Sequence, residues 1–118
     1  MKLVILGASG PTGQQLVSQA LQQGHEVTAI VRNASKLNVQ HKQLKVITGN
    51  IFDSEFLCRE LKGKDVVLSA LGVGKSLKSG YLVARVVNVL IPSMKKAGVS
   101  RVIFLSAFGV NESFKQAS

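Results

Sequence analysis

The run Gly7-Ala8-Ser9-Gly10-Pro11-Thr12-Gly13 constrains this chain more than any other feature. It follows the apolar stretch Leu3-Val4-Ile5-Leu6 and opens a segment, about Pro11 to Gln23, in which Leu16, Val17, Ala20 and Leu21 recur at helical spacing. A strand, a glycine turn and a helix in that order make a βα unit. Each glycine has its own expected job. Gly7 lets the chain turn sharply off the strand, Gly10 presents bare backbone, and Gly13 lets the helix pack closely on the sheet. Pro11 suits the first helical position, where an N–H has no intrahelical partner. The amides of Thr12 and Gly13 then point outward at the positive end of the helix dipole, where a phosphate is favoured.

The rest of the chain alternates in the same way. Glu26–Val31, Lys45–Thr48, Asp65–Ala70 and Arg101–Ser106 are β-branched apolar runs that read as further strands. Between them, Ser54–Leu61 reads as a short helix opened by Asp53 or Ser54, and Ser79–Ala97 as a longer one that Pro92 should kink. Gly24 and Gly98 stand where helices would stop. The alternation predicts an α/β fold, a doubly wound parallel sheet of Rossmann type. Right-handed crossovers give its five strands the order 3-2-1-4-5. Only Ala107–Ser118 follow the fifth strand, so residues 1–118 read as a single domain, incomplete at its C-terminus. An uncovered edge there invites self-association into a homo-oligomer.

Composition narrows the function classes. Hydrophobic residues are 46% of the chain, enough for a core, and no apolar stretch approaches the ~20 residues that span a bilayer. The opening apolar run is too short for a signal peptide and leads straight into the glycine turn. Cys58 is the single cysteine, which excludes an internal disulfide and fits a reducing cytoplasm. Its neighbours Phe56, Leu57 and Leu61 suggest a buried structural thiol. Fifteen Lys and Arg against six Asp and Glu give a net charge of +9. These cations are scattered, with Lys95-Lys96 the one doublet, and aromatics are only 5%. A solvated basic surface that helps attract a small polyanion therefore fits better than a nucleic-acid face. His25 and His41 lack companions at ligand spacing, so both read as surface residues and no metal site is expected.

The glycine spacing is G-x-x-G-x-x-G rather than G-x-G-x-x-G. Taken with Val31-Arg32-Asn33, Gly49-Asn50-Ile51, Ser69-Ala70-Leu71-Gly72, and the stretch from Lys96 through Val102 to Leu105-Ser106-Ala107, it makes the chain resemble the atypical short-chain dehydrogenase/reductase superfamily. Within that superfamily it is similar to the NmrA-like and biliverdin reductase B (flavin reductase)-like branch. The resemblance implies an NAD(P)-binding Rossmann domain whose pyrophosphate lies on Gly7, Ser9, Gly10, Pro11, Thr12 and Gly13. An acid at the end of the second strand would bind the ribose hydroxyls of NAD. This chain has Arg32 there, with Ser35 and Lys36 just beyond, so a 2′-phosphate and NADP(H) are expected. Asn50 and Ile51 should lie near the adenine, and Ser69, Ala70, Leu71 and Gly72 along the cofactor, with Val73, Gly74 and Lys75 extending that lip.

The superfamily's Tyr-x-x-x-Lys pair is absent: Tyr81 precedes the fifth strand and is followed four residues on by Arg85. Ser106 is the remaining candidate for polarising a substrate carbonyl or lactam. The resemblance thus implies an NADPH-dependent reductase of a flavin or tetrapyrrole-like substrate, or the cofactor-binding part of one. The alternative is a non-catalytic NADP(H)-sensing regulator of NmrA-like type.

Overall fold

Leu3, Val4, Ile5 and Leu6 are all buried, on opposite faces in turn, because their strand β1 (Lys2–Leu6) lies at the centre of a parallel sheet. The computed structural model describes residues 1–32, 37, 39–71 and 79–104, with backbone alone for 79–83. Among these, β1 is joined by β2 (Glu26–Val31), β3 (Leu44–Thr48), β4 (Val66–Ser69) and β5 (Val102–Phe104) in the order β3-β2-β1-β4-β5. Every pairing is parallel, with Leu6 opposite Ile30 on one side and Ser69 on the other. The order is the one that the alternating pattern predicts.

Side-chain alternation splits the core into two layers. Leu3, Ile5, Val27, Ala29, Val66 and Leu68 face helix α1 (Pro11–Gln22), which returns Leu16, Val17, Ala20 and Leu21. Val4, Leu6, Ile30 and Val67 face α2 (Ser54–Leu61) and α3 (Ser79–Ala97), which contribute Leu57, Leu61, Val86, Leu90 and Met94. Burying one such side chain is worth about 1.5–3 kcal/mol, so the two layers are the main stabilising term. Gly24 closes α1 with paired bonds: its own N–H donates to the Leu21 carbonyl and the His25 N–H to the Ala20 carbonyl.

Several boundaries differ from expectation. β4 spans Val66–Ser69 rather than Asp65–Ala70, although the flanking Asp65 and Ala70 N–H groups still donate to the Lys2 and Leu6 carbonyls; the exposed Asp65 carboxylate also accepts the Lys2 N–H at 2.7 Å. β3 starts one residue early, at Leu44, which pairs with Val27 and packs on the α1 layer. β5 is described as far as Phe104, so the last residues expected of it lie outside the described residues. α3 keeps the expected bounds with Pro92 inside it; Pro92 has no N–H for the Asn88 carbonyl, and both residues are exposed to solvent. Cys58 is half-buried rather than buried. α2 turns Leu57 and Leu61 inward and carries Cys58 on its flank.

Among the described residues no helix is long and apolar enough to cross a membrane. Nor does any group of three or more His, Cys, Asp or Glu side chains there suit a metal ion. His41 is exposed and its Nδ1 accepts the Gln43 N–H, while half-buried His25 lies 3.3 Å from the N-terminal amine.

Candidate functional site

The turn from Gly7 to Gly13 sits at the carboxyl end of the central strand, where a parallel sheet opens its crevice. Gly7 has φ +75°, a left-handed conformation that other residues rarely adopt, and a Cβ there would come within 3.0 Å of the Leu71 amide nitrogen. The Gly7 carbonyl accepts the Gly10 N–H at 3.3 Å. The same carbonyl oxygen would overlap a Cβ at Gly13, so α1 can approach the strand only with glycine at that position. The Gln14 side chain braces the turn by donating to the Ser9 carbonyl at 2.7 Å. That brace is a through-space contact for which the sequence carries no local signal.

Gly10 differs from the other two. Its φ of −78° suits any residue, and the nearest atom to a Cβ built on it is the Gly7 oxygen, 3.8 Å away. Neither backbone conformation nor packing requires glycine there. A bare backbone at the mouth of the turn is what a closely approaching pyrophosphate needs.

The start of α1 is also electrically open. Gly10 supplies no side-chain cap, no acid stands in the first turn, and Pro11 at the first helical position has no N–H to satisfy. Among the described residues the Thr12 and Gly13 amides that follow have no hydrogen-bond partner. α2 shows the opposite arrangement: the Asp53 carboxylate accepts the Glu55 and Phe56 N–H groups at 3.1 and 3.3 Å, and Glu55 adds a second negative charge. α2 thus supplies its own anion, and α1 leaves that place for another.

The neighbouring strand ends complete the rim. The Ala70 N–H donates to the Leu6 carbonyl at 3.0 Å and Leu71 rests against Gly7, so the exit of β4 lies beside the turn. Arg32 stands exposed just past β2. The Gly49 N–H donates to the Val31 carbonyl at 3.1 Å, which brings the exit of β3 beside Arg32. The Phe56 ring fills the space that a Cβ at Gly49 would take, so a side chain there would have to displace the ring. The Asn50 Oδ1 accepts the Phe52 N–H at 3.0 Å, so that oxygen shapes the turn into α2, and half-buried Ile51 packs against the α2–α3 layer.

Gly7, Ser9, Gly10, Pro11, Thr12, Gly13, Arg32, Asn50, Ile51, Ala70 and Leu71 therefore gather along one end of the sheet. Ser35, Lys36, Gly72 and Ser106 lie outside the described residues, as do Val73, Gly74 and Lys75. Ser69, which the sequence places with Ala70, Leu71 and Gly72 along the cofactor, ends β4 beside the turn. It is 1% exposed, and its Oγ has no hydrogen-bond partner among the described residues. The bare backbone at Gly10 and the uncapped α1 amides fit a dinucleotide pyrophosphate.

Comparison with known proteins agrees with that geometry. Residues 7–118 match a family described as NAD(P)H-binding. The chain is 35% identical over 109 residues to the protein YwnB of Bacillus subtilis, covering 92% of this chain and 48% of YwnB. It is 30% identical over 112 residues to the photosystem II assembly factor Ycf39 of Synechocystis, covering 90% of this chain and 33% of that protein. Among solved structures it superimposes on the oxidoreductase ylbE of Lactococcus lactis with a TM-score of 0.74 at 27% identity, over 90% of this chain and 48% of that one. The chain thus spans between a third and a half of the length of these proteins.

Proposed function

The chain belongs to the NAD(P)H-binding family, a Rossmann-like group related to reductases, and on that premise we propose that it takes NADP(H) in preference to NAD(H) as the cofactor-binding part of an NADPH-dependent reductase. Arg32 carries the cofactor preference. It occupies the end of β2, where a carboxylate would bind ribose hydroxyls and repel a 2′-phosphate. A guanidinium there pairs with that phosphate in a forked geometry, and Ser35 and Lys36 add donors nearby.

The chain's own groups divide the remaining work. The backbone of Gly7, Gly10, Thr12 and Gly13, with Ser9 and Pro11 beside it, holds the pyrophosphate. Asn50 and Ile51 flank the adenine, and Ala70, Leu71 and Gly72 line the way to the nicotinamide. Ser106 polarises a substrate carbonyl or lactam. The bound nicotinamide supplies a hydride, so the protein chiefly orients two reacting rings, and a flavin or tetrapyrrole-like acceptor suits such a site.

The test is to titrate NADPH and NADH into wild type and Arg32→Ala. NADPH should bind wild type about tenfold to a hundredfold more tightly, and the substitution should remove most of that gap. Equal affinities in wild type overturn the preference. A second reading, binding without turnover, is supported by the likeness to Ycf39, which is named for assembly rather than for a reaction. NADPH oxidation with flavin acceptors separates the two: turnover supports the reductase, and binding without it supports the sensor.

A further inference from the structure

Topology gathers at one pole of the sheet a set of lysines that the sequence scatters. All five strands run the same way and each helix returns against them, so strand starts and helix ends share the pole opposite the glycine turn. There Lys2 opens β1, Lys42 and Lys45 flank the start of β3, and Lys64 precedes β4. These four side chains line a groove of about 280 Å³ together with Glu26 and Gln43. None of the four is ion-paired among the described residues, so four ammonium groups stand against two carboxylates, Glu26 in the groove and Asp65 beside it. The Asp65 Oδ2 is engaged by the Lys2 N–H.

Helix dipoles account for some of the cations at this pole but not for Lys2, Lys42 and Lys45. Arg59 lies in the last turn of α2, and Lys95 and Lys96 in the last turn of α3, where a positive charge complements the helix end. Lys64 follows the end of α2, its N–H on the Leu61 carbonyl, whereas Lys2, Lys42 and Lys45 stand at strand starts, where no such dipole recommends them. Their mutual repulsion is relieved by an anion that carries several charges in a small volume. Ammonium groups act as point donors, suited to the many-sided oxygens of phosphate rather than to the planar fork of a carboxylate. The groove is close to the lower limit of about 300 Å³ for small-ligand pockets, and no aromatic ring lines it to stack a base.

We propose that this groove binds the phosphate chain of a small oligophosphate, at a site separate from the dinucleotide turn. Its charge can come from free tripolyphosphate or from a nucleoside triphosphate. Isothermal titration of each into the full chain at low salt distinguishes the sources: comparable affinities mean that the phosphate chain alone is read, and tighter binding of ATP means that the nucleoside adds contacts. The double variant K42Q/K45Q changes two exposed side chains, so a retained melting temperature and retained NADPH binding will report an intact fold. It should weaken tripolyphosphate about fivefold to thirtyfold, and Arg32→Ala should leave that affinity unchanged. Raising the salt should weaken binding further. The proposal is overturned if tripolyphosphate fails to bind wild type, if K42Q/K45Q binds it as well as wild type does, or if NADPH displaces it.

Discussion

The carbonyl oxygen of Gly7 occupies the volume that a side chain at Gly13 would need. Gly7 ends the central strand and Gly13 lies in the first turn of α1, so one oxygen sets how closely helix and sheet approach. Gly13→Ala must push α1 outward. It should cost about 1–3 kcal/mol of stability, measured by urea denaturation, and weaken NADPH binding along with it. A variant as stable as wild type would show that the helix can shift freely.

Gly10→Ala should separate binding from folding. The new methyl meets nothing nearer than 3.8 Å, and the backbone angle suits alanine. Stability should fall by no more than about 1 kcal/mol, the scale of a changed N-cap. Dinucleotide affinity should drop by more than about tenfold, because the methyl stands where the pyrophosphate approaches. Unchanged affinity in a titration would remove the ligand as the reason for glycine at that position.

Ser69→Ala should leave stability unchanged or raise it by up to about 1 kcal/mol. The hydroxyl is buried with no partner among the described residues and so contributes a desolvation cost with no bond in return. Chemical denaturation of the two proteins decides this, and a clear loss of stability in the variant would reveal a partner for the hydroxyl.

Asp53→Ala removes the carboxylate that accepts two amides at the start of α2. The expected cost is about 1 kcal/mol, and Asp53→Asn should recover most of it. Thermal melts of the three proteins test the order.

The parts of this molecule legible from the chain are those with local causes. The strand, turn and helix from Lys2 to Gln22 follow from periodicity and glycine placement within one short stretch. The bounds of α2 and α3 likewise follow from a cap and from recurring apolar positions. What escaped depends on contacts between distant residues. Gly49 reads as one residue of a strand exit until the Phe56 ring is seen to fill its side-chain volume. Cys58 has apolar neighbours along the chain, yet in a helix the residue after Leu57 lies about 100° round the axis, which carries it off the buried stripe. The four groove lysines show no cluster in sequence, because only parallel strands with returning helices bring their positions together. Arg32 and Gly49 were both legible as strand-end residues, and the order 3-2-1-4-5 read from the chain already sets those two ends side by side.

The uncapped start of α1 has a consequence beyond recognition. α2 completes its own hydrogen bonding with Asp53, whereas α1 leaves its first amides to whatever anion arrives. The ligand therefore serves as a missing residue of the fold. With the proposed site filled, the equilibrium stability of the population would rise with the logarithm of free dinucleotide, which would tie the folded fraction to the size of the pool.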